Sequence, residues 1–283
     1  MGGPPPVIKM RRCMMSPPRE SNPMTRRSML ATTAGAAAMT AAAQPPTATK
    51  TGFLELRRYQ MRNSKSNQVT RTTDFVSQVY VPAARRAGIG PIGVFSAVIA
   101  PESPFLLVVS SYPSLAGMQT SMEKLARDPE YVKGLAEFDA NPDLPYIRIE
   151  NTLLRCFDTF PSVEKGKAPA TGTRVFELRT YESDNETTVK RKIKMFGDGE
   201  LAIFRRCGLQ PVFFGEALTG PNLPRITYMV GYENMADREK AWAAFGSDPE
   251  WQKLKATPGL SDPDIVSNIS NAILRPAAGS EIR

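Results

Sequence analysis

From residue 53 onward, apolar and polar positions alternate. Phe53-Leu54-Glu55-Leu56-Arg57-Arg58-Tyr59 has the period of two expected of a strand over 53 to 60. The period then lengthens. Phe75, Val76, Val79, Tyr80 and Ala83 recur at helical spacing within 70 to 87, where Pro82 is expected to bend or interrupt the helix and Gly88 to end it. Residues 92 to 99 and 105 to 112 are β-rich runs joined by Pro101-Glu102-Ser103-Pro104, a connection of hairpin length. A second helical region follows, with Asp128 placed as N-cap and Pro129 at the first helical position of its later part. A last strand is expected near 146 to 157.

The same succession then returns. Val175-Phe176-Glu177-Leu178-Arg179-Thr180-Tyr181 repeats the first strand, and Arg205-Arg206-Cys207-Gly208-Leu209-Gln210-Pro211 repeats Arg85-Arg86-Ala87-Gly88-Ile89-Gly90-Pro91 at an offset of 120 residues. That offset also carries Pro104 to Pro224, Tyr112 to Tyr232, Asp128-Pro129-Glu130-Tyr131 to Asp248-Pro249-Glu250-Trp251, and Asn151 and Arg155 to Asn271 and Arg275. It predicts strands near 174 to 182, 211 to 218, 225 to 232 and 265 to 275, with helices near 187 to 207 and 234 to 256. A polar segment at 158 to 172, rich in Pro, Lys and Thr, reads as a linker between a first domain at 52 to 157 and a second at 173 to 278.

Each copy has the order β-α-β-β-α-β, so the chain is expected to be α+β, with two tandem ferredoxin-like βαββαβ domains. Such a unit carries both helices on one face of its sheet and must cover the other. Two sheets in one chain can cover each other, which predicts a pseudo-dimer resembling an α/β-barrel.

Composition narrows the chemistry. The chain has no histidine, which excludes Ser-His-Asp and Cys-His nucleophiles, His-ligated zinc and His-bound haem. No metal site or cofactor is expected. The net charge of +8 is concentrated at the start: residues 1 to 50 hold seven basic residues and one acid, whereas the remaining 233 carry 29 and 27. The folded part therefore lacks the basic surface that phosphate contacts require, and no nucleic-acid partner is expected. Within the leader, Thr25-Arg26-Arg27-Ser28-Met29-Leu30 precedes an Ala-rich stretch ending Ala41-Ala42-Ala43, a pattern that resembles a twin-arginine export signal. Export to the periplasm or another extracytoplasmic space is the expectation. A mitochondrial presequence is the alternative, with Met24 a second candidate start beside Met1. The apolar stretch is too short and Ala-rich for a stable membrane span. Cys156 and Cys207 do not make a disulfide framework and read as small buried hydrophobes.

Three segments in order carry a family resemblance: the Glu177-Leu178-Arg179-Thr180-Tyr181 strand, the Tyr228 to Tyr232 strand, and Met235-Ala236-Asp237-Arg238-Glu239-Lys240-Ala241-Trp242 through Asp248-Pro249-Glu250-Trp251. Together they closely resemble the NIPSNAP domain, a member of the dimeric α/β-barrel group. The first copy is a diverged version, with Met118, Met122 and Tyr131 where Arg238, Trp242 and Trp251 stand. The resemblance implies the barrel fold and little about activity. Eukaryotic members are similar to mitochondrial proteins linked to vesicle transport and mitophagy signalling, and the wider group includes cofactor-free monooxygenases, haem enzymes and small-ligand binders.

The first-strand motif is the main candidate site. Glu177, Arg179 and Tyr181 share one face, as do Glu55, Arg57 and Tyr59. If the Phe and Leu face packs on the helices, the Glu-Arg-Tyr face meets the partner sheet, where charges must be paired, hydrogen-bonded or wet. Such a pocket, with Tyr228 and Glu216 as further candidates, suits a small anionic or carbonyl-bearing ligand bound by the arginines. The same residues also fit a structural ion pair that fixes how the sheets associate. Arg238, Trp242, Phe245 and Trp251 suit either a ligand-facing set or, more simply, aromatics anchoring a helix on the sheet. Lys190, Arg191, Lys192 and Lys194 read as a solvated basic face. Gly88-Ile89-Gly90-Pro91-Ile92-Gly93 spells G-x-G-x-x-G but follows a helix and opens a strand, the reverse of a dinucleotide-binding turn.

Two functions fit these features. One is an exported binding or scaffolding protein that pairs again, as a homo-oligomer, through exposed sheet edges. The other is a cofactor-independent monooxygenase- or isomerase-like enzyme working in the pocket between sheets. An enclosed cavity with converging polar groups separates the second from the first.

Overall fold

The computed structural model describes residues 51–166 and 174–283. The leader over 1–50, with its Arg26-Arg27 pair, and the linker from 167 to 172 lie outside the described residues. The first half runs β1 (Phe53–Gln60), α1 (Gln68–Asp74), a π-helical turn at Phe75–Tyr80, α2 (Val81–Arg86), β2 (Ile92–Ile99), β3 (Phe105–Tyr112), α3 (Leu115–Ala126), α4 (Pro129–Asp139) and β4 (Arg148–Cys156). The second half repeats it as β5 (Val175–Glu182), α5 (Glu186–Met195), a π-helical turn at Phe196–Glu200, α6 (Leu201–Arg206), β6 (Gln210–Ala217), β7 (Arg225–Tyr232), α7 (Met235–Ser247), α8 (Pro249–Lys255), a short α9 (Asp262–Ile265) and β8 (Asn268–Pro276).

The eight strands form one closed antiparallel barrel in the order β1-β3-β2-β8-β5-β7-β6-β4. The halves are stitched edge to edge: β2 pairs β8, with Ser96 opposite Arg275, and β4 pairs β6, with Arg155 opposite Glu216. The seams are short: residues 148–152 of β4 and 268–272 of β8 have a strand partner on one side only.

Leu54, Leu56, Phe95, Leu107, Val109, Phe176, Phe213, Met229 and Leu274 fill the barrel interior. Phe95 of β2 meets Phe176 of β5 edge-on, with ring centroids 5.1 Å apart, so this core belongs to both halves at once. Two further cores lie outside the barrel wall, one under the helices of each half.

Local chemistry places these helices. Ser114 and Asn234 cap α3 and α7 by accepting from the backbone N–H of Gly117 and Asp237, and Asp128 and Asp248 cap α4 and α8. Each capping aspartate also receives a fork from the last turn of an earlier helix, Arg86 of α2 on Asp128 at 2.8 Å and Arg206 of α6 on Asp248 at 2.8 Å. Gly88 ends α2 with φ of 85°, a left-handed conformation that glycine adopts without steric cost. The interruption expected at Pro82 is a π-helical turn one step earlier. Its counterpart at Phe196–Glu200 has no proline and kinks instead at Gly199, whose φ of 168° is not helical, while Pro82 occupies the start of α2.

Truncating Phe176 to alanine opens a void in a core shared by both halves and is expected to cost roughly 3–5 kcal/mol. Urea unfolding measures this, and a loss below about 1 kcal/mol would contradict a packed, shared interior.

Candidate functional site

The closed barrel decides which way the first-strand motif faces. Phe176 and Leu178, like Leu54 and Leu56, pack inside the barrel, so the alternation of the strand sends Glu177, Arg179 and Tyr181, and Glu55, Arg57 and Tyr59, outward under the helices. The expected pocket between sheets is therefore absent from the described residues, its space filled by apolar side chains. The candidate residues come together on the other face of the wall.

In the second half they form a closed polar network. Glu177 has 0% exposure, and its two oxygens are saturated. Oε1 accepts from Arg179 Nη1 at 2.6 Å, Arg238 Nη2 at 2.9 Å and Asn271 Nδ2 at 3.0 Å. Oε2 accepts from Arg238 Nε at 2.8 Å, Trp242 Nε1 at 2.9 Å and Tyr232 at 3.4 Å. Burial alone would raise the pKa of this carboxyl, but Arg238, Arg179, Trp242 and Asn271 overcome it and hold the value down at about 2. Arg179 lies 4.6 Å over the Trp242 ring and donates to the Tyr181 oxygen, which also accepts from Tyr228 at 2.8 Å. Burial pushes the Tyr228 phenol well above its ordinary range.

Beneath this network lies a second buried pair, Lys192 Nζ to Glu200 at 2.9 Å, 1% and 2% exposed, with the ammonium 4.8 Å from the Phe196 ring centroid. Phe196, Phe204, Phe214, Tyr228, Trp242 and Phe245 close the space between wall and helices. Around Glu177 the second half thus offers a ligand neither space nor an open polar group, and its cavity of about 410 Å³ lies elsewhere, beside Lys190, Gly197 and Glu216.

The first half has the same scaffold with different side chains. Glu55, 5% exposed, accepts from Arg57 at 2.9 Å and from Tyr112 at 3.3 Å. Met118 and Met122 stand where Arg238 and Trp242 donate in the other half, and Val76, Ala84, Val94, Val108 and Leu125 replace Phe196, Phe204, Phe214, Tyr228 and Phe245. A chamber of about 180 Å³ opens here, lined by Glu55, Arg57, Tyr80, Ile89, Tyr112, Met122, Leu125, Ala126 and Tyr131. Arg57 Nε is buried without a hydrogen-bond partner. Tyr80 takes the place of Glu200 and hydrogen-bonds Ser110 at 2.9 Å. Burial, then the neighbouring Tyr80 and Glu55, raise the Tyr112 phenol, so it stays protonated as a donor. Tyr59 packs against Tyr146 at 5.6 Å and is not among the lining residues.

The candidates thus divide. Glu177, Arg179, Tyr181, Tyr228 and Arg238 form one network, Glu55 and Arg57 line a chamber, and Glu216 belongs to neither, since it pairs with Lys190 at 2.6 Å on the surface. Trp242 anchors α7 and also donates to Glu177, while Phe245 and Trp251 are core. Lys192 is not on the solvated face expected of it. Its spacing from Val189 and Met195, both buried, puts it on the inward side of α5, and that spacing was the available signal. Tyr112, Tyr232 and Asn271 recur at the repeat offset, a signal of shared position that carries no sign of their bonding to the glutamates. Cys156 is buried, its thiol pushed up to about 12, and Cys156 and Cys207 are both free among the described residues.

Residues 176–281 match the NIPSNAP family model, so the second half is a NIPSNAP domain. A candidate monooxygenase of Fusobacterium nucleatum shares the barrel fold at a TM-score of 0.52 and 11% identity, over 80% of this chain and 93% of that one. A candidate monooxygenase of Lactobacillus acidophilus does so at 0.52 and 10%, over 81% and 97%. A NIPSNAP family protein of unknown function from Agrobacterium tumefaciens is 20% identical over 40% of this chain and 96% of its own, at a TM-score of 0.36. Comparison with curated proteins returns no match.

Replacing Glu177 with alanine leaves Arg179 and Arg238 side by side under α7, and a loss of about 3–5 kcal/mol is expected. Urea unfolding that shows less than about 1 kcal/mol would contradict the saturated-carboxylate account. The pH dependence follows from the depressed value of Glu177: its contribution is complete above about 4.5 and fades as the pH falls toward about 2. Thermal melts of Glu177→Gln should therefore lose less stability than wild type between pH 5 and pH 3, and parallel curves would contradict this.

Proposed function

We propose that this NIPSNAP-domain protein is a small-molecule binding protein whose ligand occupies the chamber under the helices of the first half. The second half serves as the rigid half of the barrel. The difference between the halves carries this reading: one scaffold is sealed by Arg238, Trp242 and an aromatic cluster, and the other is left open by Met118, Met122 and smaller side chains. A dry cavity of about 150 Å³ is known to hold a benzene molecule, so about 180 Å³ suits a single ring with one polar substituent. Glu55 and Arg57, both on its lining, supply the polar contacts for that substituent.

In this reading the two halves are tandem ferredoxin-like units of a pseudo-dimer, derived from one another by duplication. The repeat offset and the matching neighbour orders β4-β1-β3-β2 and β8-β5-β7-β6 support that history. Export ahead of binding rests on the Arg26-Arg27 leader. Among the described residues no helix is long and apolar enough to cross a membrane.

A second reading, a cofactor-independent enzyme, moves from the barrel interior to the same chamber, where Glu55 and the Tyr80 and Tyr112 phenols supply groups that hold protons. Recovery of the ligand separates the two: a binder returns it unchanged, an enzyme consumes it.

Filling the chamber tests the proposal. In a panel of one-ring compounds with amidine, amide or carboxylate head groups, at least one is expected to raise the wild-type melting temperature and to leave Met122→Trp unshifted, while that variant itself melts no lower than wild type. Equal shifts in both proteins would place binding elsewhere, and no shift across the panel would remove the chamber as a binding site.

A further inference from the structure

The sealed half shows what the open carboxylate lacks. Glu177 is met by a planar cation, the Arg238 guanidinium, through parallel bonds of 2.8 and 2.9 Å, and by the Trp242 indole N–H at 2.9 Å. Met118 and Met122 remove both donors from the first half, and Glu55 keeps only Arg57 and Tyr112. An ionised carboxylate has roughly four lone-pair sites, so Glu55 retains accepting capacity on the side that Arg238 occupies in the other half.

Charge balance points the same way. Glu177 with Arg179 and Arg238 carries one net positive charge, whereas Glu55 with Arg57 carries none. A monocation beside Glu55 would recreate a balance that this scaffold already holds in its second half, with two guanidinium groups sharing one carboxylate. The remaining walls suit a flat ring: Tyr112 and Tyr131 present aromatic surface, and Met122 and Leu125 present apolar surface.

Resting on the chamber as the binding site, we infer that its ligand presents a planar cationic N–H donor, an amidinium or guanidinium carried on one aromatic ring, to the Glu55 carboxylate. The ligand does in the first half what Arg238 and Trp242 do in the second. Bidentate geometry selects a planar head group over a compact ammonium, because two parallel donors match two carboxylate oxygens.

The test is calorimetric titration with benzamidine, benzamide and benzoate, which share a ring and differ in head-group charge and donors. Benzamidine is expected to bind at least tenfold tighter than either of the others. Glu55→Gln should bring it down to the level of benzamide, with an unchanged near-ultraviolet circular dichroism spectrum as the check on folding. In the double variant Met118→Arg, Met122→Trp, which supplies an internal cation and indole, benzamidine binding should be lost and the melting temperature should rise. If benzamide or benzoate binds as tightly as benzamidine and the Met122→Trp variant blocks it, the chamber stands and the cationic donor is wrong. If none of the three binds, both readings fall. Undiminished benzamidine binding by folded Glu55→Gln, or by the double variant, overturns the inference directly.

Discussion

A carboxylate taken out of water under a helix layer has to be met by enough donors to replace its hydration, and the architecture of each half turns on how this is done. Barrel closure imposes the problem. Once Leu54, Leu56, Phe176 and Leu178 fill the interior, the period of the strand leaves no place for Glu55 and Glu177 except beneath the helices. The second half answers within the chain, drawing donors from β5, β7, β8 and α7 onto Glu177 and so pinning α7 to the wall. The first half answers partly, through Arg57 and Tyr112, and keeps a chamber beside the carboxylate.

The asymmetry is one of volume as well as charge. The positions that carry Phe196, Phe204, Phe214, Tyr228, Trp242 and Phe245 in the second half carry aliphatic side chains in the first. Phe75 stacked on Phe138 at 4.3 Å, and Tyr59 against Tyr146, restore aromatic packing at other places in that layer. The shared backbone, interrupted at the same point in each half by a π-helical turn or by a kink at Gly199, is thus held by two different sets of contacts. Turns of that kind recur at functional sites. Here one of them places Tyr80 at the chamber and the other places Glu200 on Lys192.

Much of the fold was legible in the chain. Strands 53 to 60, 92 to 99, 105 to 112 and 225 to 232 fall where the pattern puts them, because β-rich runs bounded by Pro and Gly are unambiguous over such short lengths. Facing was not legible. In a closed barrel flanked by helices both faces of the wall are buried, and β3 and β7 are buried at every position, so alternation says which residues share a face without saying what the face meets. Edge-to-edge closure escaped for a related reason, since pairing between β2 and β8 depends on registers that no local pattern carries. At the site, the Glu-Arg-Tyr repeat was readable from spacing alone. That Arg238 and Trp242 donate to Glu177, while Met118 and Met122 leave Glu55 open, required the helices to be laid over the strands. Burial of Lys192 was legible only in its spacing from Val189 and Met195, against the charged residues around it.

Guanidinium N–H exchange, followed by nitrogen-15 NMR of the ligand-free protein, reads the difference between the halves at the atoms concerned. Nε–H of Arg238, bonded to Glu177, should exchange slowly with solvent, and Nε–H of Arg57, buried but without an acceptor, should exchange faster. Equal protection of the two groups would mean that the first half is sealed as the second is, and would contradict the account.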